Sequence, residues 1–247
     1  MNFQQKLETI IQKNNSLLCI GLDPDSTKTS KPFFEFNKEI IDATANLVCA
    51  YKPNIAFYEA AGIDGLQQLK KTIEYIHNQY PDIPVILDAK RADVPNTAAL
   101  YAKALFEYWQ ADAATIFPFL GKDAVEPFFS YENKSPIIII KTSNKDASAL
   151  ENTRTAEEVK KWMFPNISLF VGATDTNTLK RVRSLFPNIP ILTAGIGAQG
   201  ASIESTVKAG IDANGSNLIC NNSREIIYAD NPREKAKEIR DIINSYR

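Results

Sequence analysis

The chain has 247 residues, 44% of them hydrophobic and 23% charged, which allows a sizeable core and excludes the composition of a disordered segment. Its 28 basic and 29 acidic side chains leave a formal net charge of −1, so no global field favours nucleic acid or an anionic membrane, and a bound anion must be captured locally. Three widely separated cysteines (Cys19, Cys49 and Cys220) and a single histidine (His77) argue against a disulfide framework, a His-based triad and a His-rich metal site.

The first residues, Met1 to Asn15, are polar and lack an apolar leader core, and no stretch approaches the roughly 18 apolar residues of a membrane span. A cytoplasmic, reducing location and a short N-terminal helix are expected. Eight short apolar runs then follow in chain order as candidate strands: Leu17–Asp23, Ala50–Phe57, Val85–Lys90, Ala113–Phe119, Ile137–Ser143, Leu169–Thr174, Ile191–Ile196 and Ser216–Asn222. Helical period fills the spaces between them at Phe34–Val48, Gly62–Gln79, Asn96–Trp109, Thr176–Phe186 and Ser202–Ala209, and again after the last strand at Asn231–Tyr246. His77 falls within the second of these helices, where a surface or capping role is expected. Strand starts recur about every 22 to 35 residues, the length of a βα unit, and Ile137–Ile140 is apolar on both faces, as a buried parallel strand must be. Eight such units with no dinucleotide fingerprint after the first predict an α/β fold of one domain over residues 1–247, a closed (βα)8 TIM barrel.

In a barrel the chemistry sits where strands end, so polar residues there are candidates for function. Strand 1 ends in Gly21-Leu22-Asp23-Pro24-Asp25, strand 2 carries Lys52, and strand 3 ends in Asp88-Ala89-Lys90-Arg91-Ala92-Asp93. Alternation along a strand puts Asp88 and Lys90 on one face, toward the barrel mouth, and Val85, Leu87 and Ala89 on the other. A buried ion-pair network is the plainer reading of these charges, but clusters of this kind rarely fall on three successive strand ends. Across the mouth, strand 7 runs into Gly195-Ile196-Gly197-Ala198-Gln199-Gly200 and strand 8 into Asn221-Asn222-Ser223-Arg224. Alone, the glycines mark no more than a tight turn; with Arg224 one strand later they predict a phosphate site.

The run Asp88-Ala89-Lys90-Arg91-Ala92-Asp93, with Lys52 upstream, Thr97 downstream and the Gly195–Gly200 loop, closely resembles the orotidine 5′-phosphate decarboxylase family, in its bacterial branch. The resemblance runs from Gly21-Leu22-Asp23 to Ser223-Arg224. It implies that Lys90 donates a proton to the carbon that loses carbon dioxide, that Asp88 packs against the departing group, and that Lys52 holds Asp88 and bonds the ribose. It further implies that Asp23 accepts from a ribose hydroxyl, Ser143 reads the pyrimidine edge, Gln199 and Gly200 lie between base and phosphate, and Arg224 binds phosphate. Asp93 and Thr97 are implied to serve the neighbouring subunit of a homodimer, and neither metal nor organic cofactor is expected. Three positions depart from the family pattern: Glu225 and Ala92 where glycine is usual, and Ala194 where proline is common; the Glu225 side chain is expected to turn outward.

Two other functions fit parts of the pattern. A magnesium-dependent sugar-phosphate decarboxylase or aldolase would use Asp23 and Asp88 as metal ligands, but Lys90 would fill the space the cation needs. A non-catalytic nucleotide-binding barrel would have no need of the full set of aspartates and lysines.

Overall fold

The computed structural model describes residues 1–144, 146–147, 153–196 and 200–247. Helix α1 (Phe3–Asn14) opens with a capping box, in which the Asn2 side chain accepts from the Gln5 N–H and the Gln5 side chain accepts from the Asn2 N–H. The barrel units follow as β1 (Leu18–Leu22), α2 (Phe33–Thr44), β2 (Ala50–Pro53), α3 (Ile55–Glu59), α4 (Gly62–Gln79), β3 (Ile86–Arg91) and α5 (Pro95–Lys103). Next come β4 (Ala113–Ile116), α6 (Lys122–Val125), β5 (Ser135–Lys141), α7 (Thr153–Lys161), β6 (Ser168–Val171) and α8 (Thr176–Leu185). The chain ends with β7 (Ile191–Ala194), α9 (Ile203–Gly210), β8 (Leu218–Asn222), α10 (Arg224–Ile227) and α11 (Pro232–Ser245). Among the described residues no helix is long and apolar enough to cross a membrane.

All strand pairs are parallel, in the order β2-β1-β8-β7-β6-β5-β4-β3. Bridges from Tyr51 to Val85 and from Asn54 to Asp88 bring β2 against β3 and complete the ring. The result is the (βα)8 barrel expected from the eight repeated units. Every residue of β1, β2, β4 and β8 is buried, because a barrel wall has side chains inside and helices outside. Each fully buried Leu or Ile contributes about 1.5–3 kcal/mol relative to exposure.

Several element ends differ from expectation for local reasons. The strand expected over Ala50–Phe57 stops at Pro53, because Asn54 caps α3 by accepting from the Ala56 N–H and turns residues 55–59 into helix. The strand expected over Ala113–Phe119 ends at Ile116, where Pro118 accepts from the Gly121 N–H in a turn, and β5 starts and ends two residues earlier than expected. The strand expected over Leu169–Thr174 ends at Val171. The helix expected over Asn96–Trp109 begins at Pro95 and loses its α geometry at Ala104, continuing as a π-helical turn to Tyr108.

The N-terminal ends of the strands are closed by α1. The Phe3 N–H donates to the Asn133 carbonyl, and Lys6 Nζ lies 3.0 Å from Asp112 Oδ2. His77 neither lies free on the surface nor caps its helix. Its Nε2 lies 3.4 Å from the same Asp112 oxygen, tying α4 to the start of β4.

Candidate active site

β2 and β3 deliver three charged side chains to one point at the barrel mouth. Lys52 Nζ donates to Asp88 Oδ2 at 3.0 Å, and Lys90 Nζ donates to Asp88 Oδ1 at 2.6 Å. The Lys52 and Asp88 side chains are 5% and 11% exposed, whereas Lys90 is 37% exposed and is the ammonium that solvent or a ligand can reach. Burial pushes the Asp88 carboxyl up, but the Lys52 and Lys90 ammonium groups override it and hold it well below the usual carboxylate range. Burial likewise opposes the charge on Lys52, yet Asp88, and more weakly Asp23, raise it above an ordinary lysine. Asp88 and Lys52 are therefore both ionised throughout the neutral range.

Simple strand alternation does not produce this contact. The β3–β4 register shifts between Leu87 and Arg91, and Lys90 sits in the left-handed region at φ 49°. The bulge swings the Lys90 side chain back over Asp88. Its backbone N–H donates to Thr115 Oγ1 at 3.0 Å, and the Thr115 hydroxyl donates to Asp88 Oδ1 at 2.8 Å.

Asp23, at the end of β1, is held from both sides. Its Oδ1 accepts from the Asn54 N–H at 3.2 Å and its Oδ2 accepts from Ser223 Oγ at 2.7 Å. Ser223 Oγ also lies 3.0 Å from the Gly21 carbonyl, and a Cβ on Gly21 would stand 2.7 Å from Ser223 Cβ. Only glycine lets β1 and β8 close this tightly above Asp23. Ser143 lies just beyond β5, where a Cβ on Gly172 would meet its backbone nitrogen at 2.8 Å. One side of that strand end is tied down by Lys141, which pairs with Asp175, the N-cap of α8.

Across the mouth, Gly195 and Gly200 both have positive φ, 101° and 81°. Gly197, Ala198 and Gln199 lie outside the described residues. Arg224 begins α10 and is exposed, forming no ion pair among the described residues. Glu225 is also exposed, but its carboxylate folds back to accept from Asn222 Nδ2 at 3.0 Å. Neither Asp93 nor Thr97 hydrogen-bonds to the Asp88 cluster among the described residues: Asp93 Oδ1 accepts from the neighbouring Val94 N–H at 2.7 Å, and Thr97 lies in the first turn of α5.

Sequence reasoning assigned no role to Thr115 or Ser223. Thr115 is the one hydroxyl in the otherwise apolar strand Ala113-Ala114-Thr115-Ile116, a signal available in the sequence. Ser223 lay within the strand-8 ending already noted, but its partner Asp23 is 200 residues away in the chain. Among the described residues, no three His, Cys, Asp or Glu side chains converge as metal ligands would.

A family model described as orotidine 5′-phosphate decarboxylase / HUMPS matches residues 16–239. A Dechloromonas aromatica protein named orotidine 5′-phosphate decarboxylase is 43% identical over an alignment of 272 positions, covering 100% of both chains. The structure of Leishmania donovani OMP decarboxylase superposes with a TM-score of 0.90 at 36% identity, covering 100% of this chain and 99% of that one. Leishmania donovani UMP synthase gives a TM-score of 0.93 at 38% identity, and this chain spans 56% of its length. With matches of this extent in both sequence and fold, the chain belongs to the orotidine 5′-phosphate decarboxylase / HUMPS family.

Proposed function

We propose that this chain decarboxylates orotidine 5′-phosphate to uridine 5′-phosphate without metal or organic cofactor. The reading is carried by the convergence of Lys52 and Lys90 on the two oxygens of Asp88. Loss of carbon dioxide breaks the bond from C6 to the carboxyl group and leaves its electron pair on C6, where no carbonyl delocalises it well. An ammonium beside that carbon stabilises the developing charge. Lys90 then transfers a proton to C6 and is reprotonated from solvent. Asp88 faces the departing carboxylate, Lys52 holds Asp88 and reaches the ribose, and Asp23 accepts from a ribose hydroxyl. Ser143 reads the pyrimidine edge, while Gln199, Gly200 and Arg224 take the phosphate, whose binding energy drives closure over the site. A magnesium-dependent reaction is less well supported, since both Asp88 oxygens already accept from ammonium groups.

The site is completed in a homodimer, with Asp93 and Thr97 serving the neighbouring subunit. That neither bonds to the Asp88 cluster of its own subunit supports this. So does the exposure of Val94, Leu100, Tyr108, Phe119 and Leu120 on and around α5, α6 and the loop after β4, where an unpaired subunit would leave a large apolar surface in water. The cysteines, all free and buried, suit a reducing compartment such as the cytoplasm.

The test is to mix the purified protein with orotidine 5′-phosphate and a chelator and follow the loss of orotate absorbance. Turnover undiminished by chelator, and abolished by Lys90→Ala in a folded protein, is expected. A wild-type protein that leaves the substrate intact overturns the proposal.

A further inference from the structure

We propose that Thr115 is a positioning residue for the reaction, its hydroxyl setting both the Asp88 carboxylate and the backbone turn that carries Lys90. The inference rests on the decarboxylase reading above. Leu87 pairs with Ala114 and Arg91 pairs with Ile116, so Asp88, Ala89 and Lys90 all face the single residue Thr115 on β4. A bulge of this kind leaves backbone groups without ladder partners, and a buried N–H without an acceptor is costly. Thr115 Oγ1 supplies that acceptor to Lys90 at 3.0 Å and spends its own proton on Asp88 Oδ1 at 2.8 Å. Thr115 is 1% exposed, so water has little access with which to replace either bond.

The left-handed backbone at Lys90 sharpens the argument. A non-glycine residue at φ 49° persists only where its surroundings hold it, and the contacts that hold it are the Thr115 bond to its N–H and the Asp88 contact with its ammonium. Both converge on the Thr115 hydroxyl. Valine has nearly the same shape and would suit a buried parallel strand, so the packing of β4 does not itself call for a hydroxyl here. The chemistry of the bulge does. With the hydroxyl gone, Lys90 Nζ loses its fixed distance to the reacting carbon while the groups that bind ribose and phosphate stay in place.

The experiment compares Thr115→Val and Thr115→Ser with wild type in steady-state decarboxylation, in binding of the product nucleotide and in thermal melting. Thr115→Val is expected to lower kcat by about 10- to 100-fold while KM and product affinity change by less than about threefold. Thr115→Ser, which keeps the hydroxyl, is expected to retain kcat within about fivefold of wild type. If Thr115→Val does not fold, Thr115→Ala is read against Thr115→Ser in the same way. Wild-type kcat in the valine or alanine variant overturns the inference, as does a serine variant as slow as the variant lacking the hydroxyl, since shape rather than hydrogen bonding would then be at work. A wild-type enzyme inert toward orotidine 5′-phosphate would count against the decarboxylase reading itself, a separate failure.

Discussion

Lys90 Nζ lies 2.6 Å from Asp88 Oδ1 although one residue separates them in the chain, because a bulge and a left-handed turn at Lys90 bend the ammonium back onto the carboxylate. A flat strand would carry the two side chains roughly parallel, several ångströms apart. The bend leaves Asp88 clasped between two cations that enter from different strands.

Breaking the clasp and deleting it have opposite consequences for stability. Lys52→Met leaves Asp88 buried with one cation fewer, and about 3 kcal/mol of unfolding free energy is expected to be lost along with activity. The double variant Lys52→Met/Asp88→Leu removes both buried charges and is expected to recover most of that stability while staying inactive. Urea unfolding of the three proteins checks this; a double variant less stable than the single one would contradict it.

The Asp93 assignment makes a prediction about mixtures. Lys90→Ala and Asp93→Ala are each expected to be inactive alone. Mixed one to one and allowed to exchange subunits, they form hybrid dimers in which one site keeps Lys90 from one subunit and Asp93 from the other. Activity of about a quarter of wild type is expected from such a mixture. If the mixture shows no recovery after exchange, Asp93 serves its own subunit.

Asp112 sets a pH dependence at the far end of the barrel. Burial pushes its carboxyl up, but a hydrogen bond from His77, the Lys6 ammonium and the Val85 N–H bring it down to about 2. A carboxylate depressed on folding contributes stability that is fully present above its unfolded value of about 3.9 and is lost as pH falls through that value toward about 2. The shift corresponds to about 2–3 kcal/mol. Wild type should therefore exceed Asp112→Asn in urea stability between pH 5 and 7 by roughly that amount, with the gap closing below about pH 4. A gap independent of pH would show that the ionised form is not what matters.

Arg183 is a structural hub that forms no ion pair among the described residues. Its guanidinium donates to the carbonyls of Gly210, Phe186, Pro187, Ile189 and Asn217, joining the end of α8, the approach to β7, the end of α9 and the loop before β8. Burial lowers its pKa to about 10, only partly offset by the Asp212 carboxylate. Arg183→Met would strand these carbonyls and is expected to cost about 3 kcal/mol, or roughly 6–12 °C in Tm for a chain of this size. Arg183→Lys keeps the charge but loses the fork and should fall between the two.

Two glycines are expected to fail for different reasons. Gly21→Ala would place its Cβ 2.7 Å from Ser223 Cβ and 3.0 Å from Asp23 Oδ2, displacing Ser223 from Asp23 and raising KM for a ribose-bearing substrate. Gly200→Ala meets no neighbouring atom among the described residues, but its φ of 81° strains any larger residue by about 1 kcal/mol. Its effect should therefore appear mainly in substrate affinity through the loop and little in global stability. Equal losses of stability in both variants would refute this division.

Much of the architecture was legible because its signals are local. Eight apolar runs alternating with helical period need only nearest-neighbour chemistry to be recognised, and a barrel puts the residues at strand ends in one place. Lys52, Asp88, Lys90 and Asp23 could thus be gathered at the mouth from their positions in the sequence alone. Local signals misled where a cap or turn intervened, as at Asn54, which converts the end of an expected strand into α3. They were silent where partners are far apart in the chain. The bond from Ser223 to Asp23 spans 200 residues, Lys6 meets Asp112 across 106, and Thr115 meets Asp88 only because β4 lies beside a bulged β3. Residue type and periodicity determine which side chains face the mouth; ring closure and register decide which atoms touch, since a hydrogen bond depends on a few tenths of an ångström that no local pattern encodes.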